Sequence, residues 1–217
     1  MSYKFEESSD IRVVPISMGL PSLHKYIKSP NPENMFNLGH EYEQIGQTAS
    51  AIGYYHKCAE RTTNDGVAYE ALLRISICYC TQTGRMAHEK NTLLMAIALQ
   101  PRRPEAYFLI CQLLERWGQS GNPERWWDSY TYACIAESNE KVLAFDDTPL
   151  KIDIGYPGGN FFIFQQAICL WWVGRFDESR AMLRHLDGGN HGFDEEYKAM
   201  IKSNIEALES NEGRIRK

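Results

Sequence analysis

No stretch of this sequence approaches the roughly 20 consecutive apolar residues that a membrane-crossing helix needs. The opening residues 1–10 are polar and acidic and lack the apolar centre of a secretory signal. The expected compartment is therefore cytoplasmic. Basic charge is also scarce: 23 Lys and Arg stand against 28 Asp and Glu, a formal net charge of −5. Nucleic-acid binding favours the opposite balance, and anionic headgroups repel such a surface, so neither nucleic acid nor membrane is an expected partner. The six cysteines, Cys58, Cys78, Cys80, Cys111, Cys134 and Cys169, include no C-x-x-C pair. Buried small thiols are the simpler reading, since zinc sites and disulfide frameworks use other spacings.

Catalytic signatures are missing too. None of His24, His40, His56, His88, His185 and His191 falls in an H-E-x-x-H pattern. There is no G-x-S-x-G elbow and no G-x-x-x-x-G-K-[ST] phosphate loop. The glycine-rich stretch 155–159 has no strand before it and reads as a turn. No catalytic residue, metal or cofactor is expected.

What is present is a repeat. Met35, Leu38, Gly39, Tyr42 and Gly46 share a spacing of large, small, large and glycine residues with two further stretches. These are Leu72, Ile75, Ser76, Tyr79, Gly84 and Tyr107, Ile110, Cys111, Leu114, Gly118. A looser copy runs Ile163, Gln166, Ala167, Leu170, Gly174. Each is followed by a second helical stretch, and helix pairs recurring at about 34 residues define the tetratricopeptide (TPR) class. The small residue at Gly39, Ser76, Cys111 and Ala167 is expected where the second helix of each pair crosses closest.

The fold class is thus all-α: a TPR-like α-solenoid of about four helix hairpins with a C-terminal capping helix. It divides as an N-terminal arm over 1–30, a helical repeat domain over 31–210 and a polar tail over 211–217. Ser22 is expected to cap a short helix in the arm, and Val13, Val14 and Ile16 read as extended. First helices are predicted over 32–45, 67–81, 104–117 and 160–173. In the helix over 124–137, Trp127, Tyr130, Ala133 and Ala136 are the expected inner stripe. The cap helix, 194–208, carries Phe193, Tyr197, Ile201, Ile205 and Leu208 on one face, as the end of a solenoid requires. Residues 138–160 break the period, and a loop this long is often functional.

A series of short runs carries a more specific likeness. These are 34–43, 70–79, Pro101-Arg102-Arg103-Pro104-Glu105-Ala106-Tyr107, Tyr156-Pro157-Gly158, 164–167, Trp171-Trp172-Val173-Gly174 and Lys202-Ser203-Asn204. In this order the chain resembles the TPR-like region that accompanies family-2 glycosyltransferases in bacteria and marine phages, over roughly residues 30–210. Such enzymes carry a nucleotide-binding α/β domain and an Asp-x-Asp motif. Here Asp146-Asp147 is adjacent, not spaced, and no alternating strand and helix region exists. The resemblance implies the accessory part without the catalytic one.

It also implies which residues face a partner. The inward positions of the first helices are Glu33, Phe36, His40 and Glu43, then Glu70, Leu73, Ile77 and Cys80, then Glu105, Phe108, Gln112 and Glu115. This mixed aromatic and acidic groove suits a peptide with basic and apolar residues, unless the N-terminal arm, with Tyr3 and Phe5, fills it. Arg74, Arg102 and Arg103 are the notable cations. They are candidates to clamp a carboxylate or, more simply, to pair with Glu70 or Glu105. The candidate binding residues are Phe36, His40, Glu43, Glu70, Arg74, Phe108 and Gln112 in the groove, with Tyr156, Trp171 and Trp172 near the insert. The expected function is a non-catalytic protein or peptide interaction module, with homo-oligomerisation possible in principle. The alternatives are a glycosyltransferase component acting with a separate catalytic chain, or a phage structural or assembly protein.

Overall fold

The computed structural model describes residues 19–146, 148–189 and 192–215, the last five as backbone alone. The expectations for Tyr3, Phe5, Val13, Val14, Ile16, Asp147, His191 and the side chains of the tail lie outside the described residues.

Among the described residues the chain is all-α, with ten helices and no strand. They are α1 (Pro21–Lys28), α2 (Pro32–Gln44), α3 (Thr48–Arg61), α4 (Asp65–Cys80), α5 (Met86–Leu99), α6 (Glu105–Gln119), α7 (Glu124–Leu143), α8 (Asn160–Trp172), α9 (Phe176–Asp187) and α10 (Glu195–Ile215). Each helix packs on the next in sequence, from α1 to α10, including α7 and α8 across the long step between them. In addition α4 touches α6, and α6 touches α8, so these three first helices lie side by side. None of these helices is long and apolar enough to cross a membrane.

Local chemistry sets the boundaries. Asn31 Oδ1 accepts from Asn34 N–H at 2.9 Å with Pro32 at the first helical position of α2. Asn64 Oδ1 accepts from Gly66 and Val67 at the start of α4. Gly46, Gly84 and Gly174 close three hairpins at φ 75, 74 and 83°, a region that L side chains rarely adopt. The third hairpin departs from this pattern. Gly118 lies inside α6, where a Cβ would meet the Trp126 ring at 2.8 Å, and Gly121 turns the chain at φ 99°.

The four small positions behave as the packing argument requires. Gly39, Ser76, Cys111 and Ala167 are all buried, and three of them meet the second helix of their pair closely. Tyr55 lies on Gly39. Ser129 Oγ donates to the Cys111 carbonyl, and Ser179 Oγ to that of Ala167. The cap stripe holds as well, with Phe193, Ile201 and Leu208 buried against α8 and α9.

Two expectations are corrected. Ser22 is not a cap: it sits inside α1, and its N–H and hydroxyl donate to Glu41 of α2 at 3.0 and 2.6 Å. The inner face of α7 is Trp126, Ser129, Ala133 and Ala136, while Trp127 is 44% exposed. A stripe of equal three-residue steps drifts around a helix of 3.6 residues per turn, whereas steps of three, four and three hold one face. Trp126 is the residue that enters the notch at Gly118, and Trp172 stacks over it at 4.9 Å.

Candidate functional site

The insert between α7 and α8 does not stand away from the helices. Its segment 148–156 runs back across the faces of α2, α4 and α6 as a strap. The pivot is Glu70, 8% exposed on α4, whose carboxylate accepts the backbone N–H groups of Lys151 and Ile152 at 3.0 and 2.7 Å. Lys151 Nζ continues to Asn37 Oδ1 on α2 at 2.9 Å and lies 5.1 Å above the Phe36 ring. Upstream, Arg103 Nη1 donates to the Thr148 carbonyl at 2.6 Å while the rest of its guanidinium grips Glu105. Glu105 in turn accepts from Tyr69 Oη. Downstream, Tyr156 packs on Phe108 of α6 and Phe162 of α8. Leu150 and Ile152 lean on the core of α2–α6, and Ile154 and Tyr156 on that of α6–α8.

The strap alternates. Leu150, Ile152, Ile154 and Tyr156 are half-buried, and Lys151, Asp153 and Gly155 are exposed. This period of two in exposure runs through a bend at Lys151 and Ile152, which turns both amides toward Glu70. The occupant of the groove among the described residues is thus this strap.

The groove residues divide by role. Phe36 and Phe108 are 2% and 3% exposed. They act as floor, the first beneath Lys151 and edge-on to Tyr55, the second beneath Tyr156. Glu43 and Arg74 form their own ion pair, completed by Arg74 Nε at 3.0 Å and by Tyr55 Oη donating to Glu43 Oε2 at 2.7 Å. Arg74 therefore pairs with Glu43, not with Glu70 or Glu105. Burial alone would lower the Arg74 pKa, but the Glu43 carboxylate overrides it and the net shift is upward. Burial, then the hydrogen bond to Glu43, push the Tyr55 phenol up, so its hydroxyl stays a hydrogen-bond donor near neutrality. His40 borders it, with Nδ1 3.9 Å from Glu43 and Nε2 3.0 Å from Gln44.

Gln112 lines an open recess of about 340 Å³ with Ile77, Cys80, Arg116 and Ile154. A second recess of about 450 Å³ lies at the other end of the strap, between Glu33, Phe36, Val67, Glu70 and Lys151. Tyr156 does not join the tryptophans. It precedes α8, while Trp171 and Trp172 end it, about 20 Å away by the rise of a 13-residue helix. Trp171 packs toward α9 and α10. Trp172 is 57% exposed over Trp126, with Trp127 and Arg175 alongside.

Burial pushes Cys78 and Cys169 up to about 12 and Cys58 up to about 11. Those values hold the thiols protonated near neutral pH. Among the described residues no group of three or more His, Cys, Asp and Glu is placed to hold a metal.

Burial also raises the Glu115 carboxyl, against a hydrogen bond from Gln165 that lowers it. A carboxyl raised in the folded state binds its proton more tightly there than in the unfolded chain. Its contribution therefore weakens stability as pH rises above the ordinary carboxylate range, and vanishes below it. Glu115→Gln is expected to be more stable than the parent in urea titrations at about pH 7 and equal to it at about pH 3.5. A parent that is the more stable at the higher pH overturns this reading of Glu115.

Sequence reading identified Glu70 and Phe108 but not the strap as their occupant. The alternation Leu150, Ile152, Ile154, Tyr156 was the available signal, hidden by the short length of the run and the prolines at either side. Comparison with protein-family models gives no match for this chain, and comparison with curated proteins gives none, so the functional reading rests on the geometry of this groove.

Proposed function

We propose that the protein is a non-catalytic interaction module whose first helices present a concave face to an extended peptide. One observation carries this reading: the non-helical strap, held by Glu70 and Arg103 through its backbone and by Phe36, Phe108 and Asn37 through its side chains. Binding an extended chain by backbone hydrogen bonds, with alternate side chains in hollows, is an established mode of peptide recognition. The layer of first helices and the small crossing residues support a TPR-like form of the fold. The likeness of runs such as 101–107 and 171–174 to the regions beside family-2 glycosyltransferases supports an accessory role in glycosyl transfer, with the catalytic domain on another chain.

The test places charge in the recess the strap leaves open. The intact chain and an Ile77→Glu/Gln112→Arg variant are used in parallel as bait in the native host, with quantitative mass spectrometry. A partner retained by the parent and reduced at least several-fold by the folded variant is the expected result. Equal recovery of every protein removes the groove as the binding face. Turnover of a nucleotide sugar by the purified chain alone refutes the non-catalytic assignment.

A further inference from the structure

The strap is attached to the face in a way that differs from the core. The residues of α2–α6 that close the hydrophobic interior, such as Met35, Tyr55, Leu73, Ile75, Leu93 and Ile110, are fully buried among helices. The strap's inward side chains are only half-buried, so the strap lies on a surface the helices have already closed. Its strongest polar contacts use its backbone. Glu70 takes two successive N–H groups and Arg103 takes a carbonyl. Any chain that bends as Lys151 and Ile152 do offers these groups, whatever its side chains. Selectivity comes from what remains: apolar residues at every second place, and a lysine above Phe36 reaching Asn37.

The ends of the strap are jointed. Ala144, where α7 stops, has φ 54° and ψ 142°, a conformation costly for a residue with a Cβ. It is held there by Arg102 Nε donating to its carbonyl at 3.2 Å, beside Asp146 N–H on the Arg102 carbonyl. At the far end Gly155 and Gly158 carry φ 74 and 103°.

We infer that 148–156 is a displaceable occupant held in cis, and that the partner of this face is an extended segment of the same chemistry, apolar residues alternating with a lysine and an aspartate. This rests on the interaction reading and names its partner. The acidic recess at Glu33 and Glu70, which the strap leaves part-empty, gives a competing segment additional room around its lysine.

The competition has a definite form. A segment tethered in cis acts at an effective concentration of order millimolar, so the parent cannot bind the same segment in trans much more tightly than that. Weakening the strap's own anchors uncovers the intrinsic affinity. The probe is a fluorescein-labelled peptide Thr-Pro-Leu-Lys-Ile-Asp-Ile-Gly-Tyr-Pro, titrated by anisotropy into the full chain. Leu150→Ser/Ile152→Ser is expected to bind at least about tenfold more tightly than the parent, and adding Glu70→Ala is expected to abolish that gain. Equal affinity in parent and strap variant, or no binding to either, overturns the proposal.

Hydrogen exchange on the unmodified protein gives an answer that needs no variant. The Ile152 amide is expected to exchange by an opening far more frequent than that of Ile75 in α4. Exchange of Ile152 only with global unfolding overturns the proposal. A closed strap together with a partner lost from the Ile77→Glu/Gln112→Arg bait leaves the interaction reading standing and removes only the cis occupant. An opening strap with no partner lost does the reverse.

Discussion

Replacing Gly39 with leucine is expected to lower the unfolding midpoint by about 10 °C or more, the largest loss from a single change in the first hairpin. A Cβ at Gly39 already meets Cδ1 and Cε1 of Tyr55 at 3.0 Å, and a leucine adds three more carbons. Tyr55 is fully buried between α2 and α4, with Phe36 edge-on at 5.3 Å. It cannot swing aside without withdrawing its hydroxyl from Glu43. Overpacking costs typically about 1–3 kcal/mol, and a broken hydrogen bond to a charged group adds about 1.5–3 kcal/mol. For a chain of this size each kcal/mol moves the midpoint by about 2–4 °C. Calorimetry on Gly39→Leu beside Gly39→Ala separates the parts. Alanine gains helix propensity of about 1 kcal/mol while meeting the ring, so its net change is small. A leucine variant that melts with the parent refutes tight crossing at this position.

Arg74→Met is the second large effect, a loss of about 3–5 kcal/mol measured by urea unfolding at neutral pH. Arg74 is 8% exposed and faces Glu43 through both Nε and a terminal nitrogen. Methionine keeps much of the volume but strands the Glu43 carboxylate, which then relies on Tyr55 and on His40 at 3.9 Å. Breaking one half of a buried pair costs more than replacing both halves with apolar residues. Arg74→Met/Glu43→Leu is therefore expected to recover much of the loss. A double variant as unstable as Arg74→Met alone contradicts the pairing. Because Gly39→Leu displaces Tyr55 from the same carboxylate, it and Arg74→Met are expected to be less than additive.

These two sites show how much was legible from the sequence. The need for a small residue at Gly39, Ser76, Cys111 and Ala167 followed from spacing alone, because helix crossing is a local geometric demand repeated along the chain. The Glu43–Arg74 pair was not legible. Both residues were recognised as groove positions, yet nothing in their 31-residue separation distinguishes Glu43 from Glu70 as the partner of Arg74. Trp126 and Trp127 make the same point at short range. The pair was visible, but which ring enters the core depends on the notch at Gly118 and on Trp172, which arrives 46 residues later to stack on it. Three equal steps from Trp127 looked like a stripe until helical rotation is followed through them.

The sequence by itself determined the helices and their order. Glycine corners and the 3.6-residue period act within a few residues of where they are read. It also determined that the repeat breaks after 138, although α7 continues to Leu143 and the non-helical stretch begins only at Ala144. Only the tertiary structure decided where that stretch goes. Lys151 and Ile152 meet Glu70 across 81 and 82 residues, and Lys151 meets Asn37 across 114. Backbone amides without a helix partner, passing a buried carboxylate, are drawn to it because each otherwise loses water without replacement. That demand is met in space and leaves no periodic trace in the sequence. The break in the repeat is therefore the segment that covers the face the repeat builds.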